Sequence, residues 1–232
     1  MGISMRLPDP LYGAVKPLFA PHALWHAARL PVNAALRGPG TGFPGLRALD
    51  EPGSGEEFLI YHRAMLRTFA EEASRHPDTL FLLDRWNRFP SWLADFFAWS
   101  QPGFLPGALD RAGEIVRQGT ADDLGSFLEP TLVGGDRFRG LHNIAHANIA
   151  AYEAHRFGAA HPGLRDAAMN SPECSPHNEH FWSLHAWIDD LYSELLRRTG
   201  GESVEGDRAP ELASHGPAQR VHPSSFTPVR KG

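Results

Sequence analysis

The chain is poor in cysteine and has no long hydrophobic run. Its 232 residues include one cysteine, Cys174, which excludes an intramolecular disulfide framework. Residues 1–22 lack the continuous apolar stretch of a signal peptide or a membrane helix. Lysine and arginine form no cluster, and a net charge of −5 argues against a nucleic-acid surface. We therefore expect a soluble cytoplasmic protein that binds neither membranes nor nucleic acids, and the oligomeric state stays open.

The pattern of apolar residues predicts a mainly α-helical protein. With 42% hydrophobic residues, the chain can fill the core of one good-sized domain. We expect this domain over residues 1–200, followed by a polar, Pro/Gly-rich tail at 201–232. Residues 37–55 are predicted as a loop, 79–86 as a strand or the start of a helix, and 159–178 as irregular. Helices are predicted at 11–30 (as one helix or two short ones), 56–76, 91–100, 106–118, 121–128, 140–158 and 180–200, the last two ending at Gly158 and Gly200.

Thirteen histidines are present, and their spacing indicates a metal site. His142 and His146 are four residues apart, so on a helix their imidazoles share one face about 5–6 Å apart. A third imidazole from another helix, for which His185 is the candidate, would complete a three-nitrogen site for copper or zinc with an open position. His22 and His26 form a second pair with the same spacing. The alternative for that pair is surface or packing histidines beside Trp25.

Two blocks of the second half resemble a known family. HNIAH at 142–146 and FWSLHAWID at 181–189 are similar to the second copper-binding half (CuB) of tyrosinases and related type-3 copper proteins. The resemblance implies that His142, His146 and His185 bind one copper ion. It also implies that Asp189 anchors a nearby arginine or a backbone group. The positions that match the second block are Phe181, Trp182, His185, Ala186, Ile188 and Asp189.

The first copper half (CuA) is matched by one block. EFLIYHRAMLRTFA at 57–70 resembles the family segment that carries the last CuA ligand, and it places His62 in that role. The middle ligand of tyrosinases would stand about nine residues earlier, where this chain has Gly53. The arthropod hemocyanin arrangement, a pair of histidines and a later one, would instead assign His22 and His26. The alternative for His62 is a buried structural histidine. The resemblance thus implies a helical bundle of the tyrosinase/hemocyanin type with two coppers and six histidines.

The activity that the resemblance implies is oxidation by O2. The substrate would be a small aromatic molecule, namely a phenol, an o-diphenol or an o-aminophenol, in a biosynthetic pathway. Asn143 resembles the family residue that helps to orient a water able to deprotonate a phenol, and it is the candidate catalytic residue. Glu129 and Asp136 are the candidates for its carboxylate partner. The alternative for Asn143 is a plain helix residue.

Two other functions stay open. The first is an enzyme with the same fold that binds a single metal ion, or zinc, and performs non-redox Lewis-acid chemistry in secondary metabolism. The second is a non-enzymatic copper or oxygen carrier, or a partner subunit. Outside the six histidines, Cys174 is interpreted as a loop residue, and His155 and His161 have no expected chemical role. His180 either approaches the site or is exposed or caps a helix.

Overall fold

The protein is mainly helical in the part that the structure describes. The computed structural model describes residues 6–49, 51–79, 86–129, 136–158 and 161–200. Within these ranges there is no β-strand, and one isolated bridge pairs Arg6 with Asn178. The prediction of a mainly α protein is therefore confirmed. Most of the predicted segment 79–86 and the whole tail 201–232 lie outside the described residues.

Nine α-helices and three 3₁₀ turns make up the regular structure of the described residues. None of these helices is both long and apolar enough to span a membrane. The 3₁₀ turns are Lys16–Leu18, Pro31–Arg37 and Ser175–His177. The helices are α1 (Asp9–Val15), α2 (Phe19–Arg29), α3 (Ser54–Ser74), α4 (Ser91–Ser100), α5 (Phe104–Gln118), α6 (Ala121–Leu128), α7 (Leu141–Phe157), α8 (Pro162–Asp166) and α9 (Glu179–Thr199).

Most helix boundaries agree with the prediction, and two predicted irregular segments differ from the structure. Gly158 and Gly200 end α7 and α9 with φ of 84° and 66°, which glycine adopts without steric cost. The predicted loop 37–55 is wrong at its end, because α3 already begins at Ser54, after Gly53 turns the chain with φ of 89°. The prediction of irregular structure for 159–178 is wrong in part, because α8 and a 3₁₀ turn lie there.

Helix α3 lies at the centre of the packing, against α6 and α9. Its apolar stripe is fully buried, and Phe69 stacks on Trp182 of α9 with ring centroids 4.0 Å apart. The approach to α6 is close because glycines meet there: a Cβ on Gly125 would lie 1.8 Å from the carbonyl oxygen of Gly55. Glycine at this contact lets two backbones touch where any side chain would separate them.

An ion pair fixes α3 against α9. The Nε atom of Arg63 donates to Oδ1 of Asp189 at 2.5 Å. The Nη2 atom of Arg63 donates to Oγ of Ser193 at 2.7 Å. The guanidinium also lies 4.2 Å from the ring centroid of Tyr192. The prediction that Asp189 anchors an arginine is confirmed. Because Arg63 follows His62 and Asp189 lies one helical turn after His185, this pair also sets the two histidines in register.

Candidate metal centre

Four helices bring the six predicted histidines together. Helix α2 carries one pair, four residues apart, and α7 carries the other. Helices α3 and α9 each contribute one more. The six residues are His22 and His26 (α2), His62 (α3), His142 and His146 (α7), and His185 (α9).

The rings form one continuous cluster. Within each helical pair the ring centroids are 4.6 Å apart. His62 lies 5.5 Å from His22 and 5.3 Å from His26, and it stacks on His185 at 4.5 Å. His185 in turn lies 4.9 Å from His142. The two halves that the sequence predicted are therefore adjacent in space.

Two groups of three among the described residues have ligand nitrogens that all lie within 4.8 Å of one another. One is His22, His26 and His62, and the other is His62, His142 and His185. His62 belongs to both groups, which the sequence did not predict. His146 lies beside the second group, with its ring centroid 5.4 Å from that of His185. Either group could hold a metal ion.

Backbone carbonyls fix the orientation of four of the six rings. The Nδ1 atoms of His22 and His62 lie 2.9 Å from the carbonyl oxygens of Pro172 and Phe58. Those of His146 and His185 lie 2.7 Å from the carbonyl oxygens of Met169 and Phe181. A carbonyl only accepts, so each Nδ1 carries the proton and each neutral ring presents a lone pair on Nε2. This arrangement is typical of metal-binding histidines.

In the described part of the chain, three Nε2 atoms of this cluster have no hydrogen-bond partner, and two others pair only with each other. Those of His22, His62 and His146 are buried without a hydrogen bond to any described residue. The Nε2 atoms of His142 and His185 face each other at 3.0 Å. Two nitrogens bound to one tetrahedral ion at about 2.0–2.1 Å would stand about 3.3 Å apart, close to this separation. The chemistry and placement of these atoms fit a bound metal.

Burial keeps five of the six imidazoles neutral, as ligation requires. Burial, with a smaller contribution from nearby His26, lowers the pKa of His146 to about 4. Burial, reinforced by the charges of neighbouring imidazoles, holds the pKa of four others well below the ordinary value. These four are His22, His62, His142 and His185. Neutral rings at physiological pH leave the nitrogen lone pairs free for a metal ion.

A buried ion pair supports His26, which is the least buried of the six. Its Nδ1 atom lies 3.6 Å from Oε1 of Glu129. The Glu129 carboxylate accepts two hydrogen bonds from Arg29, at 3.0 Å from Nε and 2.5 Å from Nη2. Arg29 is fully buried and also donates to the carbonyl oxygen of Ser54 at 2.8 Å. Glu129 is thus held where its carboxylate can orient His26, as the carbonyls orient four of the other rings.

A cavity of about 490 Å³ opens onto this centre. It is bordered by both histidines of α2, both of α7, Glu129 and Asn143. The Asn143 Nδ2 atom donates to the backbone carbonyl of Glu129, and among the described residues nothing bonds its amide oxygen. Of the two candidate carboxylate residues, Glu129 is thus the one that contacts Asn143, through its backbone, while its carboxylate pairs with Arg29. Asp136 lies elsewhere, where its carboxylate accepts from the Phe138 amide and pairs with Arg111.

The remaining predicted residues lie away from the cluster. His180 is half-buried against Trp92, 4.0 Å from the carboxylate of Glu153, and burial lowers its pKa to about 4. Cys174 is a half-buried residue of a turn, as expected. His155 is exposed on α7. None of these three lies in the group of six.

The Arg29–Glu129 pair is the part of the site that the sequence reasoning missed. The sequence indicates Glu129 only as a candidate carboxylate partner of Asn143, and it indicates no role for Arg29. The two are a hundred residues apart, so no local pattern joins them. One signal was present: Arg29 stands three residues after His26, a spacing that places both on one helical face.

The fold and the site define an α-helical protein with a buried histidine cluster that can hold a metal ion. Comparison with known proteins adds no family to this description: no protein-family model, no curated protein and no solved structure matches the chain.

Proposed function

We propose that this chain is a tyrosinase-like, copper-dependent oxidoreductase of a biosynthetic pathway. It uses O2 to oxidise a phenol, an o-diphenol or an o-aminophenol. The observation that carries the proposal is the meeting of two His-x3-His pairs, on α2 and α7, each next to a further histidine. Buried, unpaired Nε2 atoms in both halves support it.

The choice of metal rests on the donor atoms. All six candidate ligands are imidazoles, with no carboxylate or thiolate among them. Imidazole suits copper and zinc, whereas calcium and magnesium prefer oxygen ligands. Copper is the proposed metal because the order and spacing of His142, His146, His185 and His62 resemble those of type-3 copper proteins. One ion would be held by His22, His26 and His62, and the other by His142, His146 and His185.

The reaction follows from the cavity and the metals together. Oxidation of two o-diphenols to o-quinones releases four electrons and four protons, which reduce one O2 to two waters. Bound copper would supply the redox-active centre for this electron transfer. The cavity admits one aromatic ring against the histidines. The amide oxygen of Asn143 orients a water next to the substrate hydroxyl, and this is its proposed catalytic role.

A second candidate is a zinc or single-metal enzyme with non-redox Lewis-acid chemistry. The specific observation in its favour is that His62 belongs to both compact groups. One ion beside His62 with two further imidazoles would have the three-nitrogen, open coordination of catalytic zinc sites.

Metal analysis with ligand variants tests the proposal. The chain is loaded with copper and freed of excess, and bound metal is measured by mass spectrometry. We expect two copper ions per chain and O2 uptake with catechol or o-aminophenol. His142→Ala and His22→Ala each lose at least one ion and the O2 uptake, whereas the exposed matched control His155→Ala keeps both.

Each alternative has its own outcome. Unchanged metal content in His142→Ala would overturn the proposed centre. Zinc or a single ion per chain, without O2 uptake, would replace the redox reaction by Lewis-acid chemistry. Two coppers without turnover of any phenol would leave a carrier rather than an enzyme.

A further inference from the structure

The cavity beside the histidine cluster has an uneven distribution of charge. Part of its wall is apolar, formed by Ala23, Ala27, Leu30 and Leu49. Two carboxylates, those of Glu129 and Glu173, line it. Among the described residues, neither lysine nor arginine does. A substrate that enters therefore meets negative charge without a compensating cation in the wall.

The two carboxylates differ in how much of this charge they present. Glu129 is buried, and Arg29 neutralises its charge through two hydrogen bonds. Glu173 is exposed, and no ion pair joins it to any other described residue. The uncompensated charge of the cavity therefore belongs to Glu173.

The backbone around Glu173 is fixed next to the histidines. The preceding residue, Pro172, accepts a hydrogen bond from Nδ1 of His22 at 2.9 Å. The amide of Ser175 donates to the carbonyl oxygen of Ser171 at 2.8 Å, which closes the turn around Glu173. The exposed carboxylate is thus carried by a segment that contacts a candidate ligand and lines the cavity.

We infer that Glu173 selects aromatic substrates whose ring carries an amine-bearing side chain over those with a carboxylate-bearing one. The inference rests on the proposed function, since it assigns a substrate class to the same cavity. A ring seated against the histidines directs its substituent toward the opening, where an ammonium group meets the Glu173 carboxylate. A carboxylate in that place meets a like charge.

The size of the preference follows from Coulomb's law. Two unit charges about 6 Å apart in a water-like dielectric change binding by about threefold. The interaction with Glu173 is attractive for an ammonium and repulsive for a carboxylate. The Kd values of the two ligands should therefore differ by about tenfold. Salt screens an exposed charge, so the difference should shrink as ionic strength rises.

Three matched ligands test the inference: dopamine, 4-ethylcatechol and 3-(3,4-dihydroxyphenyl)propionate. They share the catechol ring with a two-carbon chain, which ends in an ammonium group, in hydrogen or in a carboxylate, so they differ in charge. Their Kd values are measured by calorimetry at low ionic strength on the zinc-loaded chain, in which the ring is not oxidised. O2 uptake is then measured on the copper-loaded chain. The variants are Glu173→Gln and Glu173→Lys, with Glu71→Gln, an exposed residue that does not line the cavity, as the matched control.

The expected order of affinity is dopamine, then 4-ethylcatechol, then the propionate, with about tenfold between the ends. Glu173→Gln should remove most of this difference, Glu173→Lys should reverse it, and Glu71→Gln should keep it. Equal affinities in the unmodified chain, an order unchanged by Glu173→Gln, or no binding of any of the three would overturn the inference. Binding in the expected order without O2 uptake would refute the proposed oxidation and leave the charge selection standing.

Discussion

Acidification should unfold the metal-free chain well before ordinary acid denaturation. In the folded chain, burial holds the pKa of five site imidazoles below the usual value, and the same holds for His180. Above about pH 7 an imidazole is neutral in the folded and in the unfolded chain, so these groups do not change the free energy of unfolding. As the pH falls below 6.5, the unfolded chain binds protons that the folded chain does not, and unfolding becomes more favourable.

The effect is large because six groups act together. An imidazole that stays neutral in the folded chain lowers the free energy of unfolding by about 1.4 kcal/mol at pH 5.5. Six such groups lower it by about 8 kcal/mol. Glu153 acts in the opposite direction, because burial raises its pKa to about 7. As the pH falls from 7.5 to 5.5, protonation of Glu153 raises the free energy of unfolding by about 2 kcal/mol. The net loss of about 6 kcal/mol is comparable to the whole free energy of unfolding of a typical domain.

Denaturant unfolding of the chelator-treated chain at pH 7.5, 6.5 and 5.5, followed by circular dichroism, measures this loss. His146→Gln should reduce the loss between pH 7.5 and 5.5 by about 1.4 kcal/mol. His155→Gln, at an exposed position of the same helix, should leave it unchanged. A total change below about 1 kcal/mol would refute the reasoning, because it would mean that the cluster takes up protons without unfolding.

Three further predictions concern the support of the site and the core. Glu129→Gln should weaken metal affinity about 10- to 100-fold in a chelator competition, because His26 loses its carboxylate, whereas Asp136→Asn should not. Gly125→Ala should lower the free energy of unfolding by at least about 3 kcal/mol, because its Cβ would meet the backbone of α3. Gly13→Ala, with open space around the new atom, should be neutral or slightly stabilising in the same assay. Glu153→Gln should stabilise the chain by about 3 kcal/mol at pH 8 and by little below pH 4.5, because a raised carboxyl pKa costs stability as the pH rises from 4.5 through 7.

The helices could be predicted because their signals are local. The apolar stripe of α3 recurs every three or four residues, and glycines end α7 and α9, so the chain segment itself contains the information. The start of α3 at Ser54 could not be predicted, because it depends on a contact between two distant segments of the chain. Gly53 and Gly55 donate their backbone amides to the Asp122 carboxylate of α6, both at 2.8 Å.

The candidate site divides in the same way. His142 and His146 were recognised from their spacing on one helix, and His185 and His62 from blocks that resemble a known family. The grouping of His62 with both halves depends on how α3 packs against α9, which no local pattern reports. The pairing of Arg29 with Glu129 likewise depends on the packing of the chain between α2 and the end of α6.

The polar interior of the bundle is best explained by a metal ion. A buried polar atom without a partner costs about 1–3 kcal/mol, and four ring nitrogens of this cluster are in that position. Leucine or phenylalanine at the same positions would avoid the cost, as they do elsewhere along α3 and α9. A bound metal would give the Nε2 atoms of His22, His62 and His146, three of these four nitrogens, a partner. It would also make use of the ring orientation that the carbonyls impose.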